Sequence, residues 1–233
     1  SHPWIRRPVS LQENYQHVRE QIANACVRSG RPPESVSLIA VSKTHPASYV
    51  DQVAALGQVH FAENRIAELV EKKASVQAPA LQWHLIGQLQ TNKVKLLEAD
   101  TILHTLDRAS LADKLQSRFT DATISCLLQV NCSGEPSKSG VAPAEFNALA
   151  DYVAQKPAIR ILGLMTMAEN TEDEWRIREA FAKLRQLSEG LQARRIFPGY
   201  KGWLSMGMSG DFELAIAEGA THVRVGSAIF GSR

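Results

Sequence analysis

The sequence predicts a single-domain α/β fold, a (β/α)8 TIM barrel preceded by one extra helix. Three observations lead to it. From Val36 onward, eight short apolar runs alternate with longer amphipathic stretches, the pattern of a parallel sheet buried on both faces. The chain has 233 residues and 44% hydrophobic composition, enough to bury one full core and too little for a second domain of ordinary size. No Pro/Gly/Ser-rich linker, low-complexity tract or readable repeat divides it.

The N-terminal helix is expected over about 11–29. Leu11, Tyr15, Val18, Ile22 and Cys26 recur there at helical spacing, between a Ser10–Glu13 capping box and Gly30. The barrel then occupies about 36–231. Its strands are expected over Ser37–Ser42, Val59–Ala62, Gln82–Ile86, Thr101–His104, Ile124–Asn131, Arg160–Leu164, Gly202–Met206 and His222–Val225. Helices are expected over Pro46–Leu56, Arg65–Lys73, Gln90–Glu98, Arg108–Phe119, Pro143–Gln155, Asp173–Glu189 and Asp211–Glu218, with Gly57 and Gly219 as C-terminal stops. Eight such steps favour closure over the alternative, an open doubly wound sheet. Asn131–Val141 is too polar for the core and reads as a long loop.

Composition removes several function classes. Lys and Arg number 26 against 24 Asp and Glu, a net charge of +2 with no block of like charges, so no electrostatic footprint for nucleic acid is present. Cys26, Cys126 and Cys132 are odd in number and form no CxxC or Cys/His cluster, which argues against a disulfide framework and against a metal site. A reducing cytoplasm is the expected location. No apolar run approaches the roughly 18 to 20 residues of a membrane span, and Trp4, Arg6, Arg7 and Pro8 do not form a signal-peptide core. Balanced charge leads us to expect a monomer without membrane contact.

In a parallel barrel, function collects where the strands end. Lys43 directly follows the apolar run Leu38–Ser42. Partial desolvation of an amine at that rim would favour nucleophilic or Schiff-base chemistry, although position alone favours a surface lysine at a strand end. Leu204–Asp211 runs from a strand end through glycines into a helix, where free N–H groups and the Ser209 hydroxyl suit a phosphate; Ser209 as a plain N-cap is the alternative. Arg224, Gly226 and Ser227 close the last strand, and the loops after strands seven and eight are the recurrent phosphate site of such barrels. Asn64 either contacts a ligand or caps the next helix. His84 alternates with apolar neighbours and reads first as a satisfied core histidine. Met165 and Met206 read as core or pocket wall, and Lys93, Lys95 and Lys138 as scattered surface lysines, with a secondary anion site as the alternative.

Taken in order, Val41–Thr44, Phe61–Asn64, His84–Lys93, Ser137–Gly140, Gly163–Met165, Leu204–Ser209 and Val223–Gly226 resemble the pyridoxal phosphate homeostasis protein family, also called the YggS or proline synthetase co-transcribed family. The resemblance runs from the first helix to Gly231. It implies a barrel similar to the N-terminal domain of alanine racemase, with pyridoxal 5′-phosphate (PLP) held as a reversible Schiff base on Lys43. It places the phosphate at Ser209 and at the backbone of Gly226 and Ser227, and sets Arg224 beside the pyridine nitrogen. Asn64, Met165, Met206 and His84 are the remaining candidates around the cofactor. Ala62 departs from the glycine that many members carry there.

The resemblance further implies a role in intracellular PLP and vitamin B6 balance. PLP-dependent apo-enzymes are the expected recipients, and no residue is assigned to catalysis. Relatives that racemise or decarboxylate carry a second domain, for which this chain shows no sequence. An arginine at the pyridine nitrogen can only donate, which weakens the electron sink on which PLP enzymes depend, but alanine racemase shares it and turns over. A racemase-like enzyme of low activity is therefore one alternative. A PLP-independent enzyme acting on a phosphorylated metabolite is another.

Overall fold

The computed structural model describes residues 10–136 and 138–232, so Trp4, Arg6, Arg7, Pro8 and Ser137 lie outside the described residues. The first helix, α1, covers Leu11–Arg28, and Ser10 caps it by accepting the Glu13 N–H at 3.1 Å. Eight parallel strands follow: β1 Ser37–Val41, β2 His60–Glu63, β3 Gln82–Leu85, β4 Ile102–Leu106, β5 Ile124–Gln129, β6 Ile159–Met165, β7 Trp203–Ser205 and β8 His222–Val225. They pair in sequence order, and β8 returns to β1 with Ile39 opposite Arg224, so the barrel is closed and the open sheet is excluded.

Helices α2 Ala47–Ala54, α3 Ile66–Ser75, α4 Ala109–Arg118, α5 Phe146–Ala154, α6 Glu174–Arg194 and α7 Phe212–Ala217 connect the strands, and a single turn α8, Ser227–Phe230, follows β8. Between β3 and β4 the expected helix over Gln90–Glu98 is instead a 3-10 segment, Thr91–Leu96. Thr91 and Asn92 are poor helix formers, and only Val94 of that segment is buried, so little packing energy draws it into an α-helix.

Alternation along each strand divides the apolar side chains into two populations. Leu38, Ala40, Phe61 and Leu85 join the main core beneath the helices, whereas Ile39, Val41, Ala62 and Ile86 form a separate cluster in the barrel lumen. A second lumen cluster contains Ile102, Leu127, Leu162 and Met165, with Trp203 against it. Ala62 pairs regularly with Val41 and His84, so an alanine leaves the strand undistorted. Helix α1 is tied to the end of the chain. Asn14 Nδ2 donates to Ile229 O at 3.0 Å, while Arg31 donates to Ile216 O and Ala220 O at 2.8 and 2.7 Å.

Gly163 marks the tightest approach in the sheet. A Cβ at that position would lie 2.1 Å from Trp203 O and 2.6 Å from Trp203 Cβ. Backbone paired on both sides cannot yield cheaply, so Gly163→Ala is expected to cost about 1–3 kcal/mol or more, read as a lower urea midpoint at unchanged slope.

Candidate functional site

The rim at the C-terminal ends of β1, β7 and β8 gathers most of the sequence candidates. Lys43 follows β1 by two residues, and continued alternation from Ile39 and Val41 sets it on the lumen side. It is exposed, and its amine has no hydrogen-bond partner among the described residues. The burial expected from its place after an apolar strand is not found. The Val41 carbonyl, two residues before it, lies 3.0 Å from where a Cβ of Gly226 would sit, so only a glycine lets β1 and the β8 turn come this close without a shift.

Ser209 is not a helix cap. Asp211 occupies the N-cap of α7, while Ser209 Oγ reaches across to α8 and accepts the Ala228 N–H at 3.4 Å. Ser209, Gly226 and Ser227 are thereby drawn into one small polar cradle, with Ser227 exposed and the other two half-buried. The loop before it is shaped by Gly207, whose φ of +104° favours a residue without Cβ, and whose carbonyl accepts the Arg224 N–H at 2.9 Å.

Arg224 is 1% exposed and belongs to the lumen. Nη1 donates to Ser205 Oγ at 2.7 Å and Nη2 to Thr166 O at 3.1 Å, but Nε is buried with no partner. Burial pushes the guanidinium down to about 10, with Asp211 pulling the other way, so it stays charged at neutral pH. A buried charged donor left unpaired costs free energy and calls for an acceptor brought by a ligand.

Behind Arg224 runs a chain of imidazoles. Ser205 Oγ lies 2.9 Å from His104 Nδ1, His104 Nε2 lies 2.8 Å from His84 Nδ1, and His84 Nε2 lies 3.0 Å from His60 Nδ1. Desolvation holds His84 and His104 well below the usual imidazole range, with neighbouring histidines, and Arg224 beside His104, adding to it; all are neutral. A neutral ring offers one donor and one acceptor, so the chain must run in one sense. Arg224 occupies one lone pair of Ser205, leaving its hydroxyl proton for His104 and sending the N–H groups on towards His60. This assignment leaves no ring atom of the inner pair unsatisfied.

His84 is accordingly a completely buried link in this chain rather than a residue at the rim. Met165 is a lumen residue and fits a floor beneath the site, but Met206 belongs to the main core on the helix side and is not brought to the rim. The strand explains this correction: Trp203 packs in the lumen cluster and Ser205 bonds to Arg224, so Met206 takes the opposite face. Asn64 is half-buried at the end of β2, where Gly87 packs so closely that a Cβ would stand 1.9 Å from Asn64 O. Arg65, not Asn64, holds the N-cap position of α3. Lys93 and Lys95 are exposed, whereas Lys138 is half-buried, with Nζ 3.5 Å from Ala168 O.

Sequence reading missed His60, His104, Ser205 and Thr166. The available signal was two-residue alternation: each histidine stands two places from a lumen apolar residue, as His60 does from Ala62 and His104 from Ile102. Among the described residues no group of histidine, cysteine or carboxylate side chains is arranged to hold a metal.

The family model described as alanine racemase, N-terminal domain, matches residues 10–233. The pyridoxal phosphate homeostasis protein of Aquifex aeolicus is 41% identical over 95% of this chain and 97% of its own length. PipY of Synechococcus elongatus, solved with PLP bound, is 37% identical with a TM-score of 0.79, covering 92% of this chain and all of its own. Alanine racemase from Corynebacterium glutamicum is 16% identical with a TM-score of 0.68, covering 94% of this chain but 61% of the racemase, a likeness of fold alone. The chain belongs to the pyridoxal phosphate homeostasis protein family, built on the barrel of the alanine racemase N-terminal domain.

Proposed function

We propose that this chain binds PLP, holds it as a reversible Schiff base on Lys43, and serves PLP balance rather than turnover. The unpartnered, fully buried Arg224 Nε carries the reading, because a pyridine nitrogen is the acceptor that would complete it. The cradle of Ser209 Oγ with the Gly226–Ser227 backbone suits the phosphate, Met165 the floor beneath the ring, and Asn64 the ring's edge. Lys43 Nζ, as free base, adds to the aldehyde carbon; a C=N bond forms and the carbonyl oxygen leaves as water. Water or another amine reverses the step.

Two features favour custody over catalysis. Arg224 can donate to the pyridine nitrogen but cannot protonate it, and the ring is then a weaker electron sink. Lys43 is exposed, so a second amine reaches the imine without a protein rearrangement. PLP-dependent apo-enzymes are the proposed recipients. We further propose one barrel domain acting as a monomer in a reducing, cytoplasmic compartment, in keeping with three free cysteines.

Addition of PLP is expected to produce the visible band of a protonated imine. A colourless protein that takes up no PLP would overturn the reading. Ser209→Ala is expected to cost about 1.5–3 kcal/mol of PLP affinity, the worth of a hydrogen bond to a charged group, measured by titration. The shared racemase barrel keeps a weak racemase as the second reading. It requires the protein to exchange the α-proton of an amino acid faster than free PLP does, and we expect no such excess.

A further inference from the structure

Beside β1, on the helix side, lies a buried charged cluster with no role in the site described so far. Lys72 of α3 is 6% exposed and its ammonium makes three contacts: Ser42 O at 2.7 Å, Glu63 Oε1 at 2.5 Å and Glu68 Oε2 at 3.1 Å. Three donors meet three acceptors. The acceptors are in turn shared with the backbone around Lys43. Glu63 Oε1 also accepts the Ser42 hydroxyl at 2.7 Å, and Glu68 Oε2 also accepts the Thr44 N–H at 2.8 Å. Ser42 is therefore held by both its carbonyl and its hydroxyl, Thr44 by its amide, and Lys43 stands between them.

Stability alone is a poor reason for this arrangement. Removing an ammonium and a carboxylate from water costs nearly what their attraction returns, and a well-packed apolar pair would serve a helix–strand contact as well. Burial also pushes the Glu63 carboxyl upward, against the pull of Lys72 and Ser42. Thr44 adds a second cost. Its φ of +66° is a left-handed conformation that a β-branched residue adopts at a penalty of order 1–3 kcal/mol, and such conformations persist where the surroundings over-determine them. The same three side chains supply that constraint.

We propose that Lys72, Glu63 and Glu68 are positioning residues for Lys43, clamping the backbone on both sides of it so that its exposed amine is delivered to the PLP aldehyde carbon. The inference rests on the Schiff-base reading. An amine on a fixed backbone searches only its own four-carbon stem, whereas an unclamped Ser42–Thr44 turn adds backbone freedom that imine formation must then remove.

The test separates imine formation from occupancy of the site. Pyridoxine 5′-phosphate carries the ring and phosphate but an alcohol in place of the aldehyde, so its affinity reports the pocket without the imine. In the full chain, Glu68→Ala removes the Thr44 acceptor from a half-exposed position and leaves the Lys72–Glu63 pair intact. The double change Glu63→Gln with Lys72→Met dismantles the remainder without stranding a buried charge.

In both variants the imine-forming equilibrium with PLP, read from the visible band, is expected to fall at least about tenfold, equivalent to 1.4 kcal/mol. Affinity for pyridoxine 5′-phosphate should stay within about twofold. Parallel loss of both, or loss of neither, would overturn the clamp. Should the double variant not fold, Glu68→Ala decides alone. If the unaltered protein binds pyridoxine 5′-phosphate but never forms an imine with PLP, the Schiff-base reading itself has failed, and that outcome is distinct.

Discussion

Between about pH 7.5 and about pH 5 the ligand-free protein is expected to lose folding stability, with His222 alone contributing about 2 kcal/mol of the loss. Burial brings His222 down to about 3 and holds His84 and His104 well below the ordinary imidazole value of 6.5. Unfolded histidines take up protons as the pH falls through 6.5, while the folded ones do not. Stability from these groups is therefore complete above the unfolded value and drains away below it. At about pH 5 His222 has cost about 2 kcal/mol, at 1.36 kcal/mol per unit below the unfolded value, and His84 and His104 act in the same direction. Half-buried His60 adds less.

Glu63 and Asp211 act with the opposite sign. Burial raises both, so the folded state gains protons before the unfolded one does and recovers some stability as carboxylates titrate. Their contribution arrives mainly nearer the carboxylate range, below the first part of the histidine loss. Urea unfolding at stepped pH values checks the prediction. A midpoint that does not move between neutral pH and the mid-5 range would mean that the imidazole chain is hydrated or charged when folded.

Replacing Lys43 is expected to have the largest effect on ligand binding. In Lys43→Ala the visible band should vanish, because other candidate lysines are placed differently among the described residues: Lys72 is committed to its three partners, Lys138 Nζ lies 3.5 Å from Ala168 O, and Lys93 and Lys95 are exposed on the 3-10 segment. PLP would then be held only by the phosphate cradle and Arg224 and should be lost on dialysis. Pyridoxine 5′-phosphate should bind as before, since the hydrogen bonds that hold Ser209 and Arg224 in place do not involve Lys43. Paired titrations with the two ligands read this directly. A variant that keeps the band, or loses both ligands together, would contradict the assignment.

The barrel and its rim were legible for a common reason. A parallel strand buried on both faces appears as an apolar run, and a polar residue shortly beyond it, such as Lys43 after Val41 or Ser209 after β7, is conspicuous. Residues within the strands were harder to see. Ser205 and His104 sit inside runs whose neighbours are apolar, and β7 is three residues long, too short for alternation to show that Ser205 faces the lumen and Met206 the helices. Lys72 is further removed still. On an amphipathic helix rich in lysine and glutamate it looks like any solvated charge, and only the packing of α3 on β1 and β2 buries it against Glu63. The 3-10 segment failed for a related reason, since its spacing imitates an α-helix without the apolar face that would stabilise one.

The account depends on a covalent bond at one atom, Nζ of Lys43. Borohydride reduction of the PLP-loaded protein converts an imine to a stable secondary amine, and peptide mass mapping then locates it. A single phosphopyridoxyl label on the peptide that carries Lys43 is the expected result. A label on Lys72, Lys138 or any other lysine with Lys43 unmodified would contradict it.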